Sequence, residues 1–194
     1  MRARNLLFEV EEGVNPFYLL GRALVLVGLC VWGWKFITTP METNYVGQSF
    51  MHLINLPFHE AGHIIFLPLG RLLHALGGSL GQILMPCICL AAFLFKNRDP
   101  FGASVSLWWV SQNFMDVAPY INDARTLDLM LLGGGTGKEV DGHDWQSILG
   151  TLGWLEYDHI LAVASYRFGT LLMILACIWG GYILYQQFKH RDAV

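Results

Sequence analysis

Charge is scarce in this sequence. Of its 194 residues, 12 are Lys or Arg and 15 are Asp or Glu, 14 % in all, against 54 % hydrophobic. An average soluble domain carries about 25 % charged residues, so this composition points to an integral membrane protein. A net charge of -3 leaves no basic footprint for nucleic acid. Cysteine is nearly as sparse: Cys30, Cys87, Cys89 and Cys177 all lie in apolar stretches, where a thiol behaves as a small hydrophobe. Cys87 and Cys89 do not have the spacing of a zinc pair, and no disulfide framework is legible. No small-residue cleavage site follows the early arginines Arg2 and Arg4, and Glu9, Glu11 and Glu12 stand nearby, so the first apolar span is expected to be an uncleaved anchor.

What the chain does have is long apolar runs. They predict an all-α, polytopic membrane helix bundle of about five spans, near 16–37, 46–69, 80–95, 101–120 and 168–188, forming one domain over 1–194. Arg22 lies close to one end of the first span, where it can snorkel. Residues 70–79 read as a turn, and Gly77 with Gly81 makes a small-xxx-small pair that lets helices approach. The segment 121–158 is a loop or re-entrant piece near the site, since 127–132 is too short to cross. Gly133 to Gly137 with Lys138 resembles a phosphate loop, but the spacing is one short and Glu139 stands where Ser or Thr would hold magnesium, so it reads as a hinge. Lys96, Arg98, Lys189 and Arg191 crowd helix ends on one side, which favours a cytoplasmic C-terminus.

The most informative stretch is His59-Glu60-Ala61-Gly62-His63. Helix residues four apart share a face one turn apart, so His59 and His63 can meet one metal ion while Glu60 reaches a water beside it. This is the H-E-x-x-H arrangement, two imidazoles for zinc and a carboxylate as general base. Its flanks, Leu-Ile-Asn-Leu-Pro-Phe and Ile-Ile-Phe-Leu-Pro-Leu, are apolar. One charge at the centre of a membrane helix costs about 2.5–3.5 kcal/mol on insertion scales, so three ionisable groups in one turn call for a partner, and a dication is the obvious one. The plain alternative is a polar patch bonded to neighbouring helices. His52 and Asn55 continue the stripe, with His52 read as a gate, a support for the ligands or a helix-packing hydrogen bond.

A catalytic zinc site usually takes three protein ligands and leaves one position open. Counting about 1.5 Å per residue from the span ends places Asp116 at a depth comparable with His59 and His63, with Gln82 near the same level. Asp116 is therefore the first choice for the third ligand, with Gln112 and Asn113 to orient it or to bind a peptide carbonyl. Its other reading is a helix-end carboxylate, since Pro119 is expected to end the helix soon after. Rival ligands are Asp123, His143 and Asp144, on a segment that can fold back over the site; His143 and Asp144 also read as the N-terminal cap of a helix over 145–152.

An H-E-x-x-H within a membrane span, followed by a later intramembrane aspartate, resembles the site-2 protease family of intramembrane zinc metalloproteases. The resemblance implies Zn2+ on His59 and His63, Glu60 activating water, and Asp116 as third ligand. Asn113-Phe114-Met115-Asp116 looks like a divergent form of the family's Asn-Pro…Leu-Asp-Gly element, without its Pro or its Leu-Asp-Gly. No stretch is long enough for the inserted PDZ domain that many members carry. The likeness covers about the second to fourth spans. The expected function is hydrolysis of peptide bonds in transmembrane protein substrates, by a multi-pass protein of a bacterial inner membrane in contact with lipid, with an oligomer or an accessory subunit left open. The competing readings are a non-proteolytic metal-binding component, such as an assembly factor or transporter subunit, and a hydrolase of lipid or small amides.

Overall fold

The computed structural model describes residues 3–10 and 13–190. Arg2, Glu11, Glu12 and Arg191, which entered the charge reading, lie outside the described residues. Among the described residues the regular elements are helical: α1 (Ala3–Phe8), α2 (Pro16–Thr38), α3 (Phe50–Phe66), α4 (Arg71–Ala91), α5 (Pro100–Asn122), α6 (Asp144–Leu152) and α7 (Asp158–Lys189). A π-helical turn over Ala92–Asn97 prolongs α4, and an isolated β-bridge joins Met130 to Thr136.

Among the described residues, three helical stretches are long and apolar enough to cross a membrane: Pro16–Thr38, Arg71–Asn97 and Leu155–Lys189. The sequence suggested about five. α3 has only 17 residues, and α5 has 23 but carries Ser104, Ser106, Ser111, Gln112, Asn113 and Asp116. α2 exposes Phe17, Leu24, Val27, Val31 and Trp34 while burying Gly33 and Phe36, an apolar surface of the kind that lipid covers.

The chain divides into two compact units, one of residues 1–38, 86–111 and 170–194, the other of 39–85 and 112–169. In the first unit Trp32, Phe36 and Trp108 cluster with ring centroids 5.6 to 6.1 Å apart. Trp108 Nε1 donates to the Leu29 carbonyl at 3.0 Å, which satisfies the indole inside an apolar site. Arg22, expected to snorkel, instead donates to Asp99 at 2.9 Å and to the Tyr18 hydroxyl at 2.7 Å. A carboxylate within reach spares the guanidinium the stretch to water.

The second unit holds the polar stripe. Ser49 caps the start of α3: its Oγ accepts from the His52 N–H at 3.4 Å, the usual service of a serine N-cap. Gly70, at φ 96°, makes the turn into α4. α4 begins at Arg71, so the stretch expected as a turn is helix. Arg71, Leu72, Leu73, Ala75 and Leu76 are good helix formers, and each glycine costs only about 1 kcal/mol relative to Ala. Gly77 and Gly81 are used for contact: a Cβ on Gly62 would strike the Gly77 carbonyl, and one on Gly81 the Phe58 carbonyl. α3 and α4 therefore meet backbone to backbone, and the face of α4 carrying Gly78 and Gln82 lies over the histidines of α3.

α5 does not end at Pro119 but runs on to Asn122, and the Asp123 N–H still bonds the Pro119 carbonyl at 3.0 Å. Asp116 is thus a buried residue well inside a helix. Met41, Val117, Ala118, Ile121 and Ala162 form the apolar core of this unit, with Trp145 and Tyr166 packed against it. After α5 the chain is gathered by one carboxylate: Asp123 accepts from Thr126 Oγ1 at 2.6 Å and from the N–H groups of Asp128 and Leu129 at 2.8 and 3.0 Å. That clamp holds Leu127 at φ 57°, a conformation costly for a bulky side chain. Residues 127–137, expected as a re-entrant piece and a hinge, form a bridged turn in which Gly134 and Gly135 have positive φ.

Candidate metal centre

One helical turn separates His59 from His63 on α3, and their ring centroids stand 4.9 Å apart. Each ring is oriented through Nδ1. His63 Nδ1 lies 2.8 Å from the His74 carbonyl oxygen, which can only accept, so Nδ1 carries the proton. His59 Nδ1 lies 2.8 Å from Gln82 Oε1 and is held the same way. This outer bonding of imidazoles is what fixes the tautomer of metal-binding histidines. Both Nε2 atoms are left to converge on one point.

Asp144 completes that point. Its Oδ2 lies 3.2 Å from His59 Nε2 and 3.2 Å from His63 Nε2. The three side chains are only 11 to 16 % exposed, and their ligand atoms lie within 4.8 Å of one another. With Nδ1 carrying the inner proton of each ring, each Nε2 faces Asp144 Oδ2 across a gap that a shared proton or a divalent cation can fill, and a cation displaces the proton when it binds. The donor set, two imidazoles and a carboxylate, could hold a divalent first-row metal ion.

Neighbouring elements position Asp144. It is the first residue of α6, whose N-cap is His143: the His143 Nδ1 accepts from the Gln146 N–H at 3.2 Å. The Tyr120 hydroxyl accepts from the Asp144 N–H at 2.9 Å and stands 3.4 Å from Asp144 Oδ2. Trp145 Nε1 donates to Ser79 Oγ at 3.1 Å, tying α6 to α4. Burial alone would raise the Asp144 carboxyl, but its bonds to His59 and His63 outweigh that and hold it below its ordinary range. Burial lowers the His143 pKa, against the pull of Asp123. The ring is thus held neutral, as a cap that accepts through Nδ1 must be. His143 Nε2 is 3.3 Å from Asp123 Oδ2 but not aligned for a hydrogen bond.

Gly78 forms the opposite wall. A Cβ there would lie 2.6 Å from His63 Nε2 and closer still to His59 Nε2. The missing side chain is what leaves the space between the imidazoles open.

The other residues singled out in the sequence fall into place around this group. Glu60 lines the same cleft, exposed and with no hydrogen-bond partner among the described residues. Asp116, first choice for the third ligand, does not join the group: its carboxylate lies 3.0 and 3.1 Å from His52 Nδ1 and accepts from Asn55 Nδ2 at 2.8 Å. Gln82 reaches it at 3.5 Å and so links it to His59. Gln112 is fully buried and accepts from Asn55 at 2.9 Å. Asn113 is fully buried, and Asp123 clamps the loop. Of the three rivals, Asp144 alone reaches the histidines. Gly78, Tyr120 and His74 were not picked out for this site; Gly78 and His74 fell in the stretch read as a turn.

The two aspartates are separable by substitution. Asp144→Ala is expected to weaken metal binding by more than about 100-fold, and Asp116→Ala by about 10-fold, the scale for an outer hydrogen-bonding partner. Competition against a calibrated chelator measures both; the reverse order would return Asp116 to the ligand set.

The cleft that contains the group has a volume of about 1020 Å³ and is lined by α3, α4, α5, α6 and the bridged turn. The chain matches no family model, no curated protein and no solved structure.

Proposed function

We propose that this chain is a zinc-dependent membrane peptidase that hydrolyses peptide bonds of membrane-embedded proteins, with His59, His63 and Asp144 as the ligand set and Glu60 as the general base. The observation that carries the reading is the convergence of His59 Nε2, His63 Nε2 and Asp144 Oδ2 in a cleft that Glu60 also lines, its carboxylate bonded to no described residue. Tetrahedral zinc with ligands at about 2.1 Å puts neighbouring ligand atoms about 3.4 Å apart, close to the 3.2 Å separations found here.

A bound zinc ion would supply Lewis acidity, lowering the pKa of water to about 7 and polarising a carbonyl. The chain's own groups do the rest. Glu60 takes a proton from the attacking water and passes it to the leaving amine. Gln82 and the His74 carbonyl keep the imidazoles from turning. Tyr120 fixes the backbone of Asp144 and lines the cleft beside it. A substrate helix must unwind to enter, because its peptide bonds are otherwise paired with each other.

Metal removal tests the reading. The purified wild-type protein is expected to hold about one equivalent of zinc and His59→Ala almost none, by elemental analysis. Wild-type protein incubated with single-span membrane proteins is expected to cut them, to stop when zinc is chelated and to resume when it is restored. One equivalent of metal with no cleavage across a broad substrate panel would favour a non-catalytic metal-binding component.

A further inference from the structure

One polar group in the cleft has no part in the chemistry above. His52 stands seven residues before His59 on α3, so the two project from nearly the same face, about 10 Å apart along the axis at 1.5 Å per residue. Both line the cleft. The Asp116 side chain is 1 % exposed, and its carboxylate meets His52 Nδ1 with both oxygens, Asn55 Nδ2 and, at 3.5 Å, Gln82 Nε2. Asn55 is braced in turn by the fully buried Gln112. A buried carboxylate is costly unless several donors satisfy it. This network meets that cost, and what it orients is one imidazole. The His52 side chain is 35 % exposed. With Nδ1 committed to Asp116, Nε2 is the polar atom it offers to the cleft.

At about 10 Å, His52 is beyond hydrogen-bond reach of a bond held at His59, His63 and Asp144. It is within reach of a chain lying along α3. An extended strand rises about 3.3 Å per residue, so three residues span the gap. The cleft, at about 1020 Å³, lies at the top of the range of about 300–1,000 Å³ usual for small-molecule sites, which leaves room for such a chain.

We propose that His52, oriented by Asp116, binds a backbone amide of an extended substrate about three residues from the bond that is cut. The proposal rests on the metallopeptidase reading and deepens it: His52 makes the cleft favour an unwound polypeptide over a small amide or a lipid. A peptide amide offers both a donor and an acceptor, so Nε2 pairs with it in either protonation state.

The test uses the full chain in detergent, loaded with Co2+, whose visible bands report binding at the metal. The probes are peptide hydroxamates carrying one residue or five, in two series extended to the amino or to the carboxyl side of the metal-binding group. In one series the longer probe is expected to bind wild type about tenfold more tightly than the shorter, the scale of one hydrogen bond. In His52→Ala, and in His52→Phe, which keeps a ring there, that gap closes. A gap that survives in both variants overturns the assignment of His52, and so does wild-type protein with no gap in either series. Failure of the metal reading looks different: no cobalt bands form in any of the proteins, and the proposal falls with it.

Discussion

Gly78→Ala is expected to empty the metal centre while leaving the helices folded. The added Cβ falls 2.6 Å from His63 Nε2 and against His59 Nε2, close to where an ion bound at about 2.0–2.1 Å from each nitrogen would lie. Neither imidazole can swing aside cheaply. His63 would give up its 2.8 Å bond to the His74 carbonyl, and His59 its 2.8 Å bond to Gln82. The helix itself gains, because Ala is the better helix former by about 1 kcal/mol. Metal content should drop from about one equivalent to under about 0.1, with an unchanged circular dichroism spectrum. Gly81→Ala is the control for crowding as such: its Cβ meets the Phe58 carbonyl, so its damage should appear as lost helix packing. A Gly78→Ala protein that keeps a full equivalent of metal would mean that no ion sits between the two Nε2 atoms.

The sequence disclosed the elements that follow from local spacing. His59 and His63 are four apart on a helix, and their meeting needs no tertiary knowledge beyond that helix. Gly77 and Gly81 were legible as a contact stripe for the same reason. The third member of the His59-His63 group was not legible, because it is set by how the chain after α5 folds back. Asp116 and Asp144 are both carboxylates that can approach α3, and depth counting favours the one on a long helix. The distinction comes from partners that spacing does not reveal: Asn55 and His52 occupy Asp116, while the His143 cap and the Tyr120 hydroxyl bring Asp144 to the imidazoles. The turn expected over 70–79 failed for a related reason. Paired glycines signal a break in an isolated chain, but here close contact with α3 offsets what they cost α4.

Glu60→Gln is expected to lower the cleavage rate by about 100- to 10,000-fold, the range for losing a positioned general base, and to leave the metal equivalent untouched. The substitution is a narrow one. Glu60 is exposed in the cleft and bonds to no described residue, so the amide breaks no contact, and Glu and Gln have similar helix propensities. What it removes is a basic oxygen one position from His59. Asp144→Ala is expected to lose metal and activity together, and Glu60→Gln to separate them; that split tells a base from a ligand. Cleavage and zinc content measured on the same preparation decide the matter. If Glu60→Gln turned over at the wild-type rate, the proton acceptor would have to be sought elsewhere in the cleft. Asp141 is the other carboxylate lining it that is neither in the ligand group nor saturated by partners, and Asp141→Asn would then be the variant to lose turnover.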